Sequence, residues 1–600
     1  MQRAAGAVPC LLFVATGIAM AQAPDSRVNL GSAPGAANSD SVRLAATDDH
    51  VVAVWRDQRN GALSDIYCNH SADRGESWPA NDQRLCDGAP GSASSVEPRI
   101  VAAAGLVHVV WREFVGPAAD VHYRGSFDGG ATFLPRQRLD PGDLGGATDS
   151  FDIEIAAEGP LVAVVWSDSR HGQADILCNC SSDGGLSWLP TPRRLDSGDL
   201  PGASASLRPT VTIAAGIVHV AWEDGRSNGL AGLDVYATRS LDGGLTWSPD
   251  QRLDGADALG AARSMFVDLA AEGGLVAAVW QEQRSGGNDV HTNVSTDGGL
   301  TWAAADTRLD LGSVPGAAVS EEPRVAVVGG VIFAAWRETT IPGVVNPDVA
   351  YNRSTDGGVT WQAAASRLDD GFAAGASDSR EITLQTSGVE LWLAWSESGT
   401  GNYDILVDRS FDGGATWLPA PARVDSDAAG AGESRNAALA IADGTVQVAW
   451  RDRRNSQLGR YDIYNGTPRG SRPYGSGTPG TGGLVPIVTS AGAASPGGQI
   501  TLAVQGAVGA APCVLFAGLA GRAAAPLPFG TLWIMPPLAS LWLPLGGAPG
   551  VAGAGAGSLQ LWIPANASLV GTTLTAQAAV LDAANPAALA LTGGLEVRIL

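Results

Sequence analysis

The sequence predicts an all-β repeat fold, and three regularities predict it. An eight-residue turn is written seven times: SADRGESW (71–78), SFDGGATF (126–133), SSDGGLSW (181–188), SLDGGLTW (240–247), STDGGLTW (295–302), STDGGVTW (354–361) and SFDGGATW (410–417). An apolar run closing on tryptophan occurs eight times, at Trp55, Trp111, Trp166, Trp222, Trp280, Trp336, Trp395 and Trp450. The eighth unit stops at YDIYNG (461–466), while RVNLGSAPGAANS (27–39) aligns with RLDLGSVPGAAVS (308–320), a strand and exit loop that belong at the end of a unit. A near-constant period means one supersecondary unit stacked repeatedly. Short alternating strands with turn signals at this spacing suit a β-propeller. The expectation is an eight-bladed β-propeller over residues 26–466, closed by the N-terminal strand, with seven blades as the alternative, then a small C-terminal β-sandwich.

Taken in order, residues 1–21 read as a secretory signal: Arg3, an apolar core, then Ala19-Met20-Ala21 as a small-residue cleavage site. Each following unit reads as four strands. Strand A is a run such as PRIVAAA (98–104), and strand B ends at the tryptophan. A carboxylate stands two residues later: Asp57, Glu113, Asp168, Asp224, Glu282, Glu338, Glu397 and Asp452. Arg59, Arg170, Arg226, Arg284 and Arg454 stand four after the tryptophan. An Asp opens strand C, the eight-residue turn links C to D, and D is a short QRLD-like run. In the turn, the Asp accepts hydrogen bonds from backbone N–H groups and the Gly pair supplies positive φ. The closing aromatic is expected to lock the hairpin onto its own sheet.

Asp73, Asp128, Asp183, Asp242, Asp297, Asp356 and Asp412 are the turn carboxylates. The unit resembles the Asp-box, or bacterial neuraminidase repeat, of the sialidase-like β-propellers, and the resemblance covers roughly residues 26–470. It implies a propeller. It also implies a sialidase site: three inner-strand arginines on a substrate carboxylate, a Tyr–Glu nucleophile and an Asp acid/base. Those sialidases usually have six blades, which this chain exceeds.

The formal charge of −23 argues against nucleic acid and anionic membrane surfaces as partners. There is no lysine, and no later apolar run reads as a spanning helix, because Gly and Pro interrupt each one. Cys68 and Cys86 flank one turn and are candidates to pair. Cys178 and Cys180 share a strand face. No zinc-type cysteine spacing is present, and no metal or cofactor is expected. Residues 467–483 are a Gly/Pro-rich linker. From 484 to 600 short apolar strands alternate with Gly/Pro turns, and the charged side chains are Arg522, Asp582, Glu596 and Arg598. So charge-poor a segment is either a self-contained sandwich or a surface for docking to the cell envelope or another protein.

For a site, the informative position is twelve residues before each strand B tryptophan. It reads Arg43, Arg99, Glu154, Thr210, Asp268, Arg324, Thr383 and Ala438, between apolar neighbours. Arg43, Arg99 and Arg324 form a candidate anion clamp. The alternative is that they pair with Glu154, Asp268, Glu97 or Glu322. No tyrosine stands in a nucleophile-like inner-strand setting. The carboxylates after the tryptophans recur in every unit, which marks B–C loop scaffolding through the nearby Arg and the strand C Asp. Trp392 and Phe114 lie outside the repeat and are candidates for stacking on a sugar. The expected protein is secreted or cell-surface and binds glycan or protein ligands without catalysis. A sialidase-like glycoside hydrolase is the alternative, and an architectural envelope protein the second.

Overall fold

The computed structural model describes residues 25–600 apart from short stretches, the longest being 340–345, 493–498 and 565–572. The expected signal at 1–21 lies outside the described residues. Two compact units result, Pro24–Pro468 and a C-terminal unit from Arg469. A 3-10 turn spans Gly229–Ala231, and the described residues are otherwise almost entirely strand, turn and loop.

The first unit is built from four-stranded antiparallel sheets whose strand order follows the chain from inner to outer, the arrangement of a propeller. The first sheet runs Ser39–Thr47, His50–Asp57, Asp65–Ser71 and Gln83–Arg84. The pattern recurs at 95–138, 150–194, 206–252, 264–308, 319–367 and 379–423. In the eighth sheet, Ser434–Ala442, Thr445–Asp452 and Asp462–Gly466 take Ser26–Arg27 as their outer strand, with Ser26 opposite Asn465 and Arg27 opposite Tyr464. The inner strands pack one on the next, and Val42 and Leu44 of the first share a core with Ala438 and Ala440 of the last.

The second strand of each sheet is apolar on both faces because both face a neighbouring sheet. All eight strand-closing tryptophans are fully buried there. The repeated turns hold together through their own side chains. In the fourth, Ser240 Oγ donates to Asp242 Oδ1 at 2.8 Å and accepts from Gly244 N–H at 2.8 Å; Thr246 donates to Asp242 from its N–H (2.8 Å) and its hydroxyl (2.6 Å). The closing aromatic, however, does not lock its own sheet. Trp188 meets Tyr123 of the preceding sheet edge-on at 4.8 Å, Trp417 meets Phe333 and Tyr351, and Trp78 joins the core shared with the eighth sheet. A planar ring at a turn tip reaches across to the neighbour more readily than it folds back. These rings therefore fasten the seams.

In the C-terminal unit the main sheet runs Arg472–Tyr474, Gly594–Arg598, Thr573–Leu581, Pro512–Gly518 and Ala539–Pro544. A three-stranded sheet runs Ile487–Gly492, Gln499–Ala507 and Gly555–Trp562. Ile500, Leu502, Leu515, Val580 and Leu595 fill its core. Arg472–Tyr474 lies in the stretch expected as linker yet pairs as a strand with 594–596. No helix among the described residues is long and apolar enough to cross a membrane.

Candidate functional site

The inner strands carry the candidate site. In every sheet the pairing of the first two strands slips once, as between Asp40 and Arg43 against Arg56 and Val54. One residue bulges at each slip: Ser41, Glu97, Asp152, Arg208, Phe266, Glu322, Glu381 and Asn436. All have φ between +46° and +59°. Non-glycine residues avoid that region unless the surrounding structure imposes it. A bulge re-aims the residues beside it, and two positions on stand Arg43, Arg99, Glu154, Asp268 and Arg324, all half-buried. Sequence alternation found these five. It missed the bulge, because an extra residue leaves the apolar positions on either side unchanged.

The five interact. Arg99 Nε donates to Glu154 Oε1 at 2.8 Å. Burial works against the Arg99 charge, and Glu154, with Glu97 and Asp152, more than offsets it, so its pKa is raised. Arg43 is lowered to about 10 by burial and by the charges of Arg99 and Arg324, with Glu154 opposing. Burial raises the Asp268 carboxyl against the pull of Arg324. Arg43 Nη1 donates to Val42 C=O at 2.9 Å and Arg324 Nη1 to Pro323 C=O at 2.9 Å. Among the described residues neither guanidinium has a carboxylate in salt-bridge reach. Of the three arginines, Arg99 is thus paired as the alternative expected, whereas Arg43 and Arg324 have no carboxylate partner among the described residues. Glu97 and Glu322 are engaged elsewhere, by Arg112 at 2.9 Å and Arg337 at 3.6 Å.

The carboxylates after the tryptophans are not exposed loop pairs. Each is buried at the end of its second strand, the last residue of it in six sheets and one or two residues short of the end at Glu338 and Glu113. Seven accept the indole N–H two residues back, as Asp57 does from Trp55 at 2.9 Å and Glu397 from Trp395 at 3.2 Å. The third-strand Asp serves other partners: Asp65 holds Arg84 at 2.7 Å and accepts Gly91 N–H at 3.0 Å. A buried carboxylate needs donors close by, and the indole and the Arg supply them.

Trp392 is buried beneath Arg409, whose guanidinium carbon lies 4.3 Å from the ring centroid, so it offers no face to a sugar. Phe114 is half-buried, with Arg112 5.4 Å above it. A Tyr–carboxylate contact does exist, between Tyr403 Oη and Asp378 Oδ2 at 2.7 Å. No spacing in the chain signals it, because Asp378 comes from the exit loop of the preceding unit. Burial and Asp378 push Tyr403 up to about 12, which opposes a phenolate nucleophile. Two acidic clusters come close enough to hold a cation, Glu282/His291/Asp306 and Asp404/Asp425/Asp427. Each already surrounds a guanidinium: Arg284 sits 2.5 Å from Asp306, and Arg423 2.8 Å from Asp425. Cys68 and Cys86 are not paired and face Gln83 and Ser95 respectively, while Cys178 and Cys180 bring their sulfurs to 3.4 Å.

No family profile matches the chain, and no curated protein matches it. Among solved structures it is similar to a puromycin-hydrolysing peptidase of Mycobacterium tuberculosis, at 12% identity and a TM-score of 0.41. That match covers 72% of this chain and 61% of the peptidase, so the chain spans less than two thirds of its length. A polysaccharide lyase matches at 12% identity, over 62% of this chain and 89% of the lyase, with a TM-score of 0.39. A sialidase from Streptococcus pneumoniae matches at 12% identity, over 75% and 70%, with a TM-score of 0.30. Arabinanases and arabinofuranosidases are among the other similar structures.

Proposed function

We propose that the chain is an Asp-box protein whose eight sheets form one eight-bladed propeller closed by residues 26–30, and that it binds an acidic glycan or an acidic protein segment at the inner-strand cluster. The single observation that supports the ligand class is the pair Arg43 and Arg324. Two guanidinium groups set toward the same cluster, with no carboxylate in salt-bridge reach among the described residues, are suited to a carboxylate or sulfate from outside. The signal-like segment at 1–21 supports export. The charge-poor sandwich proposed at 484–600 suits attachment to the envelope.

We read the protein as a binder because the Tyr403–Asp378 pair is poorly suited to nucleophilic chemistry. Titration against sialylated, uronate-containing and sulfated oligosaccharides tests the reading, with a fluorogenic sialoside as the turnover control. Binding is expected to weaken at least about tenfold in Arg43→Ala and in Arg324→Ala, and to weaken with salt. Turnover lost in those variants would establish the hydrolase instead. Absence of both binding and turnover would favour an architectural role.

A further inference from the structure

Five of the seams between consecutive sheets contain a serine held between two acids, at Ser150, Ser206, Ser320, Ser379 and Ser434, and a sixth sets Ser264 2.7 Å from Asp254. The serine opens the inner strand of one sheet. The outer strand of the preceding sheet sends one acid to it, and the second strand of its own sheet sends the other. Ser379 Oγ lies 2.5 Å from Asp369 Oδ2 and 2.6 Å from Glu397 Oε2. Ser150 lies 2.8 Å from Asp140 and 3.1 Å from Asp168; Ser434 lies 3.2 Å from Asp425 and 2.9 Å from Asp452. A hydroxyl carries one proton and can donate to one carboxylate only. The second short O···O contact needs a proton of its own, and its source is the other carboxyl.

We infer that these seams are proton-dependent fasteners, in which an outer-strand Asp/second-strand acid pair shares one carboxyl proton in the folded protein, Asp369–Glu397 foremost. The chain supplies its own comparison at two other seams. Where the N-terminal strand meets the first sheet, the outer-strand position is Asn29, whose amide donates to Ser39 Oγ at 2.9 Å while Ser39 donates to Asp57 at 2.8 Å. Where the first sheet meets the second, it is Cys86, whose thiol donates to Ser95 at 3.1 Å, and Ser95 donates to Glu113 at 3.2 Å. Both substitutes are donors. A carboxyl in the same place acts as a donor when it is protonated.

The groups around Asp369 agree with this. Arg367 Nε lies 2.8 Å from it on its own strand, Asp348 faces it from the third strand, and Ser379 and Glu397 face it from the next sheet. Glu397 accepts Trp395 Nε1–H, and the position that carries Arg in five units is Gly399 here, so among the described residues no second guanidinium offsets the two acids. Burial is the first cause that raises Asp369 to about 6, Asp196 and Asp254 to about 7, and Asp425 to about 8. Since these values lie above the ordinary 3.8, the folded chain holds protons that the unfolded chain has released. Stability therefore falls as pH rises from about 4 to about 8, and levels off above.

The test is infrared spectroscopy of the full chain in D2O from pH 5 to 9, with denaturation midpoints over the same range. A carboxylic-acid C=O band is expected at pH 5, lost by pH 9, and diminished in Asp369→Asn and Asp254→Asn. Each variant is expected to reduce by up to one the protons taken up on folding, since asparagine donates without titrating. No such band in the wild-type protein at pH 5 would overturn the inference even if the variants fail to fold. A band and a pH slope unchanged in both folded variants would do the same.

Discussion

Arg454 holds Asp25 from 429 residues away, Nη1 to Oδ1 and Nη2 to Oδ2, each at 2.8 Å. The same grip occurs inside single units, where Arg59 meets Asp82 at 2.6 Å and Arg226 meets Asp250 at 2.5 Å. Only the eighth sheet takes its acid from the other end of the chain. Asp25→Ala is expected to cost about 1–3 kcal/mol, the scale of charge-assisted hydrogen bonds. Deleting residues 25–30 also removes fully buried Val28, worth about 1.5–3 kcal/mol more. Thermal denaturation of the two variants checks the order, and a truncation as stable as the full chain would refute the closing role proposed for this strand.

The seam turns give a second, paired prediction. Gly185 has φ +82°, and a Cβ there would lie 1.8 Å from Tyr123 Oη on the preceding sheet. Gly105 has φ +80°, and its Cβ would meet nothing within 4 Å. Gly105→Ala is expected to cost about 1–2 kcal/mol, from backbone strain alone. Gly185→Ala adds overpacking of about 1–3 kcal/mol. Equal shifts in denaturation midpoint would mean that the turns do not press on their neighbours.

That contrast also marks what the sequence discloses. Spacing within a unit was legible: the seven turns, the eight tryptophans and the outer-strand identity of the segment at Arg27 all follow from one period. Contacts between units were not, because a repeat shows what recurs and not what each copy touches. The reach of Trp188 to Tyr123, the reach of Asp369 to Ser379, and the Tyr403–Asp378 bond all cross unit boundaries. At the site, alternation located Arg43, Arg99 and Arg324, but the pairing of one and not the others depends on which neighbour carries Glu154.

The bulges predict an unusual substitution pattern. Ser41 has φ +56°, and its hydroxyl donates only to adjacent Asp40. Ser41→Gly relieves the left-handed conformation and is expected to be neutral or stabilising by a few tenths of a kcal/mol. Ser41→Val, β-branched, is expected to cost about 1–3 kcal/mol. Urea midpoints of the two variants decide it, and a tolerated valine would remove the bulge from the features that hold the inner strands.

The turn carboxylates set the opposite pH limb from the seams. The Thr246 hydroxyl and N–H hold Asp242 down to about 2, and Ser187 does the same for Asp183. Both sit below the ordinary 3.8, so their contribution is present above about pH 4 and lost as pH falls toward 2. The seam acids lose theirs as pH rises from about 4. Together the two sets predict a stability maximum near pH 4 to 5, flanked by an acid limb and a neutral limb. Asp242→Asn should flatten only the acid limb and Asp254→Asn only the neutral one. Urea midpoints from pH 2 to 9 measure both, and a maximum above pH 7 would contradict the assignment of protons to the seams.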